Sequence, residues 1–402
     1  MTLASTLRTP LDTDPRDFSI ILGGPLFQLL RRAHMTGDAL ELLRRRVAVL
    51  SLFAWLPLLL LSLLHGELFH GRAAVPFLLD VQVHARFLVA MPLLILAEYL
   101  VHKRLRPVAE EFLVRRLVRD EDRDRFNDLM RSAMLLRNSI SAEVVMIAVI
   151  YAFGVPVLFR EAATLGVTTW YADLTDAGPR ATLAGLWYAF VSVPMFQFLL
   201  LRWYFRLLVW MRFLWGVSRI RLELSPLNAD GMAGLSFLSR TVYAFVPLAM
   251  AHGALLAGTI ANRVFYSGET LGDAKYEIAL VVAFLFVLVF VPLTVFAVQV
   301  ARAKRAGTAA MGRFAQRYAR EFETTWLPNG MPAQASPLGS SDIQSLADLG
   351  GSFERMRATR VVPLTRDAIV GLGIATLIPL APLLLTVIPA EEIAKRLFSM
   401  LL

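Results

Sequence analysis

The chain has 402 residues, 56% of them apolar and 18% charged, with a mean hydropathy of +0.57. That balance lies outside the range of soluble domains and places the chain in a bilayer. With no cysteine, disulfides, thiolate metal sites, iron–sulfur clusters and cysteine nucleophiles are excluded; the formal charge of +9 reads as membrane topology, and no recognition module for nucleic acid is present.

The first 17 residues contain Pro10, Pro15 and three Asp, and lack the basic, apolar, small-residue order of a cleaved signal, so they read as a cytoplasmic tail. FSIILGGPLFQLLRRAHM follows, too short to span and ending in Arg31 and Arg32, which predicts an interfacial helix. Thr36 can cap a second short helix, with Asp38 in its first turn and Arg44, Arg45 and Arg46 at its end, as the helix dipole favours.

Seven segments are long and apolar enough to cross a membrane: Val47 to Leu64, Ala85 to Val101, Ile140 to Phe159, Leu183 to Leu201, Val242 to Ala261, Ile278 to Val300 and Ala368 to Ile388. Crossing a hydrocarbon layer about 30 Å thick takes roughly 20 helical residues. Alternating their ends puts 7, 10, 6 and 10 Lys or Arg on one side, 33 of the 41 in the chain. That side is expected to be cytoplasmic, with the N-terminus inside and the C-terminus outside. The predicted fold class is therefore all-α, a polytopic membrane protein of seven transmembrane helices with helical cytoplasmic extensions.

The outer connections, Leu64 to Ala85, Arg160 to Thr182 and Asn262 to Glu277, are short and leave no room for a folded outer domain. The inner ones read as helices: Pro107 to Asn138, an extension of the fourth span through Leu224, and an extension of the sixth through Thr325. The Pro-, Gly- and Ser-rich text between Trp326 and Gly351 is a loop broken by a short helix near Ser341 to Leu349. FERMRATRVVPLTR leads into the seventh span, and PAEEIAKRLFSMLL after it predicts an amphipathic helix on the outer surface. The chain thus divides into residues 1–46 (tail and interfacial helices), 47–300 (six spans with cytoplasmic segments 107–138 and 202–240), 301–367 (cytoplasmic helix and loop) and 368–402 (seventh span and outer helix).

Every span carries proline: Pro57, Pro92, Pro156, Pro194, Pro247, Pro292, and the pair Pro379 and Pro382. Each removes a backbone donor and frees a carbonyl that something must satisfy. The six single ones match the ordinary prolines of membrane helices. In the seventh span, which has no charge, Pro379 and Pro382 stand with Thr376 and Thr386, the hydroxyls nearest to them, and these four are candidate pathway residues at a symmetry axis or pore. His252 and Glu98 join them as ionisable groups at membrane depth. The simpler readings are a hydrogen-bonded buried histidine and a carboxylate that reaches the interface. Arg86 can snorkel outward, and Gln197 and Gln299 suit interhelical bonding.

His65, Glu67, His70, Asp80 and His84 cluster on the outer side with nitrogen and oxygen donors suited to a divalent metal, though no zinc spacing is met. They otherwise read as loop residues. On the inner side, Trp203, Trp210 and Trp215 lie among arginines, and Asp230, Gly231 and Gly234 form a turn. These six are candidates for interhelical or subunit contacts; the turn is no P-loop, since no Gly-Lys-Ser/Thr follows.

At SPLNADGMAGLSFLSR and FERMRATRVVPLTR the chain resembles uncharacterised seven-span inner-membrane proteins of bacteria, which implies a location and no activity. In topology alone it is similar to insect chemoreceptor channels, a likeness that implies a tetramer with the last helix at the pore; none of that family's residue motifs is matched. Two readings follow. One is an oligomeric channel or transporter-like protein bordered by the seventh span. The other is a receptor or scaffold whose basic cytoplasmic face binds anionic lipid or a partner protein. An enzyme reading lacks a convergent set of acid, base and metal ligands, and no cofactor is implied. The expected partners are the lipid bilayer and further copies of the chain, not nucleic acid.

Overall fold

The computed structural model describes residues 18–21, 23, 41–69, 73–154, 156, 168–175, 178–326 and 341–386. The expected tail, most of the first interfacial helix, the loop 327–340 and the outer terminal helix lie outside these residues. The fold is all-α and polytopic: six helices are long and apolar enough to cross a membrane, or seven if one bent pair forms a single span.

Helix α1 is Glu41–Leu64 and α2 is Val81–Val114; α3, Arg123–Arg137, meets α4, Ile140–Gly154, at a bend of 43°. Helix α5 is Leu183–Val217, α6 Ser236–Tyr266, α7 Lys275–Thr294, α8 Ala297–Trp326, α9 Ser341–Ala358 and α10 Arg366–Thr386. Apolar side chains on α1, α4, α7 and α10 remain exposed, Leu60, Val144, Leu280 and Leu384 among them, as lipid-facing surfaces require.

Proline shapes these helices in a repeated way. Wide π turns at Ala85–Ala90, Ile150–Gly154 and Tyr188–Ser192 each end two residues before a proline, at Pro92, Pro156 and Pro194. The ring clashes with the carbonyl four residues back, and the wider turn relieves that contact. At Pro194 the freed carbonyl is that of Phe190, and the Tyr151 hydroxyl donates to it at 2.9 Å. In α10 the helix tightens to 3-10 geometry from Ile378 to Thr386, the stretch that holds Pro379 and Pro382.

Several boundaries differ from the sequence expectations. The fourth span's helix ends at Val217 rather than Leu224, because Gln299 takes the carbonyls of Ser218 and Ile220, at 2.5 and 2.7 Å, and Leu222 then bridges to Val118. Within the helical segment 107–138 the chain breaks once, where Arg116 adopts a positive φ of 53° and Leu117 and Val118 turn inward. The long sixth helix breaks after Thr294, two residues beyond Pro292, and Phe296 swings into the core against Phe112 at 6.0 Å. The outer connection 160–182, short as read from the sequence, holds strand structure in its described part. It carries an antiparallel hairpin, β1 Ala172–Thr175 with β2 Gly178–Ala181. Its approach to α5 is so close that a Cβ on Gly185 would lie 1.9 Å from the Tyr171 carbonyl oxygen.

Phe18, Ile20 and Ile21, expected at the start of a surface helix, are buried instead. Phe18 packs on Phe213 with ring centroids 4.6 Å apart, and Ser19 Oγ bonds His102 Nδ1 at 3.0 Å. This segment closes the arginine-rich end of the bundle.

Candidate functional site

Glu98 sits on α2 with three apolar neighbours along its face, Leu94, Ile95 and Val101, all buried. The sequence reading let it reach the interface; the structure instead holds it 5% exposed between two guanidiniums. Arg46 Nη1 from α1 approaches Oε2 at 2.6 Å, and Arg206 Nη1 from α5 donates to Oε1 at 2.6 Å. Each carboxylate oxygen thus has its own arginine, and the pair of bonds ties three helices together where water is scarce. Arg206 also stacks over Trp203, 5.2 Å from the ring centroid.

One turn earlier on α5, Arg202 is 4% exposed and less completely paired. Its Nε lies 3.8 Å from Glu143 Oε1, its Nη2 donates to the Gly23 carbonyl at 3.2 Å, and its Nη1 has no partner among the described residues. Arg46 Nε is likewise buried without a partner among them. Arg137 completes the group: its guanidinium donates to the Ser19 carbonyl and, through Nε, to Asn138 Oδ1 at 3.0 Å. A gap of about 10 Å³ lies among Arg137, Glu143, Met146, Arg202, Phe205 and Arg206. The sequence singles out Glu98 as a charge at membrane depth, Arg202 and Arg206 as arginines of a Trp-rich helix, and Arg46 as a helix-end residue, but nothing in their spacing says that they converge with Arg137.

A second basic feature lies further along the same side. A cleft of about 530 Å³ between α8 and α9 is lined by Lys304, Arg305, Thr308, Ala309 and Arg357, with no carboxylate. Lys304 Nζ donates to the Thr359 carbonyl at 2.8 Å, Arg357 stacks over Phe353, and Arg305 makes no ion pair among the described residues. The two helices are held together by the turn 225–236. Thr359 Oγ1 donates to the Pro226 carbonyl at 2.9 Å, the Arg360 amide to the Gly231 carbonyl at 2.9 Å, and Gly307 packs on Pro226 and Met356.

Asp230 organises that turn. Its Oδ1 accepts from the amides of Met232 and Gly234 at 2.8 and 3.0 Å, and its Oδ2 from Ser236 at 3.1 Å. Gly231 and Gly234 have φ of 64° and 98°, where a side chain is strained. The amides of Met232, Gly234 and Ser236 are therefore taken by Asp230 itself. Burial raises the Asp230 carboxyl, but these three backbone bonds outweigh it and leave the group below its ordinary value.

Trp203 and Trp210 are buried inside the chain, and Trp203 Nε1 donates to the Leu94 carbonyl at 3.0 Å, so neither is available to a second subunit. Trp215 is 51% exposed and carries Arg219 over its ring.

Of the pathway candidates, Thr376 is fully buried and donates to the Leu372 carbonyl at 2.9 Å; its own carbonyl would lie 2.0 Å from a Cβ on Gly253 of α6. Pro382 and Thr386 face outward, with Pro379 half-buried between the two groups. His252 is buried with both ring nitrogens engaged: Nδ1 donates to the Leu248 carbonyl at 2.7 Å, and Nε2 meets the Tyr204 hydroxyl at 2.8 Å. That is a satisfied core histidine.

The outer candidates do not form one cluster. Asp80 caps α2 through the Val83 amide at 3.1 Å, and accepts from Asn262 Nδ2 and Trp170 Nε1 at 2.8 Å each. His84 accepts from Trp55 Nε1 at 2.9 Å and donates to the Leu78 carbonyl at 3.1 Å. Glu67 accepts from the Ala73 amide at 2.9 Å, and His65 pairs with Asp173 at 3.7 Å. His70 lies outside the described residues, among which no three His, Asp or Glu side chains are arranged to hold a metal.

No family model, no curated protein and no solved structure matches this chain.

Proposed function

We propose that this multi-pass membrane protein is a receptor or scaffold of the bacterial inner membrane, with its arginine-rich side in the cytoplasm, which binds phosphate-bearing anionic groups there. The observation that carries the reading is the cleft between α8 and α9, whose lining among the described residues holds Lys304, Arg305 and Arg357 and no carboxylate. Helix α8 begins three residues after the end of α7, so the cleft stands close to the membrane surface. Basic residues in that zone contribute about 1 kcal/mol each toward anionic lipid. Reconstitution into nanodiscs of zwitterionic lipid, with and without phosphatidylglycerol, followed by native mass spectrometry of retained lipid, tests the proposal. Arg305→Glu with Arg357→Glu is expected to lower phosphatidylglycerol retention by about tenfold or more. Equal retention by wild type and the double variant overturns it.

A second reading, an oligomeric channel around α10, is favoured by one feature: Pro382 and Thr386 are exposed in its uncharged 3-10 stretch from Ile378 to Thr386. Liposomes holding wild-type protein would then pass ions, and Pro379→Leu with Pro382→Leu would change that flux. A flux with these properties replaces the receptor reading. The orientation is tested separately: an impermeant label applied from outside should reach a tag after Leu402 and not one in the loop 327–340.

A further inference from the structure

We infer that the arginine cluster at the closed end of the bundle is a binding site for a small monatomic anion, of the halide class, seated between Arg202, Arg206 and Arg137. The charge balance asks for one. Arg46, Arg202 and Arg206 are each under 9% exposed, and Glu98 and Glu143 are the carboxylates that face them. That leaves one positive charge in excess among the described residues, and Arg137, half-buried beside them, makes it two. Uncompensated charge at such depth is costly and is normally paired.

The hydrogen-bond inventory points to the same place. Arg202 lines the gap and has Nη1 buried with no partner among the described residues. Among those residues its other donors engage the Gly23 carbonyl at 3.2 Å and, distantly, Glu143 at 3.8 Å. A guanidinium offers five donors and no acceptor, so what fills the gap must accept hydrogen bonds. Size narrows the class: about 10 Å³ is room for a single body near the size of a water, which excludes phosphate, sulfate and lipid headgroups. A halide accepts from several guanidinium N–H groups at once and supplies the missing negative charge; a water supplies only the acceptor. Met146 and Phe205 form the apolar part of the wall, which suits a weakly hydrated ion such as chloride better than strongly hydrated fluoride.

The site is independent of the lipid cleft between α8 and α9 and is tested by itself. Full-length protein, purified in neutral detergent with gluconate as the sole anion, is titrated with chloride, bromide, fluoride or gluconate at constant ionic strength while thermal unfolding is followed. A saturable rise in Tm with chloride and bromide, absent with gluconate, is expected. Glu143→Gln removes the carboxylate that competes for Arg202 and should move the chloride midpoint to about tenfold lower concentration or below. Arg202→Met should abolish the response. Identical melting in chloride and gluconate would mean that water alone fills the gap and overturns the inference, as does an unchanged chloride midpoint in Arg202→Met. If that variant does not fold, an unchanged midpoint in Glu143→Gln overturns it instead.

Discussion

Replacing Glu98 with glutamine tests the centre of the arginine cluster most directly. The side chain keeps its shape, but one carboxylate oxygen becomes an amide that donates, facing either Arg46 or Arg206 at a position where the wild type has a 2.6 Å contact. Two charge-assisted bonds are lost or weakened, each worth about 1.5–3 kcal/mol. The sum agrees with the roughly 3–5 kcal/mol measured when one partner of a buried ion pair is removed. At about 1.4 kcal/mol per tenfold, the folded-to-unfolded ratio should fall by at least about a hundredfold. The companion variant Arg46→Met removes one of the stranded cations, so Glu98→Gln with Arg46→Met should be less damaging than the two single changes added together, by about 1–3 kcal/mol. Unfolding in mixed micelles, followed by tryptophan fluorescence, gives the cycle. Additive effects, or a Glu98→Gln loss below about 1 kcal/mol, would refute the claim that the three side chains act as one buried unit.

Asp230→Asn should destabilise the protein at neutral pH, because the three amides of the turn lose a charged acceptor. Since the folded-state carboxyl lies below its ordinary value of 3.8, its contribution is complete above that value and is lost as pH falls through the folded one. The Tm gap between wild type and variant should therefore stay constant from neutral pH down to about 4 and shrink below it. Gly253→Ala forces a Cβ to within 2.0 Å of the Thr376 carbonyl oxygen and should cost about 1–3 kcal/mol as α6 and α10 separate. Gly312→Ala, with nothing within 4 Å on α8, should instead stabilise by about 0.5–1 kcal/mol in the same unfolding assay. Trp203→Ala should cost about 3–5 kcal/mol, whereas Trp215→Ala, half exposed, should change Tm little; equal losses would contradict their different burial.

Local properties of the chain determined what it is. Runs of apolar residues near the length of a bilayer crossing can be read along one stretch, because helix length depends on neighbours a few positions away. The demand that each proline places on its carbonyl was legible as well; that Tyr151 would meet the one at Phe190 was not, since the two are 39 residues apart. The same limit hid the candidate site. Glu98 drew attention as a charge at depth, but Arg46 is 52 positions before it and Arg206 is 108 after it, and their convergence depends on how α1, α2 and α5 pack. Asp80 shows the reverse error. Proximity in sequence grouped it with His84, while packing gave it to Trp170 and Asn262, because a buried carboxylate goes to the donors that the tertiary structure brings within reach.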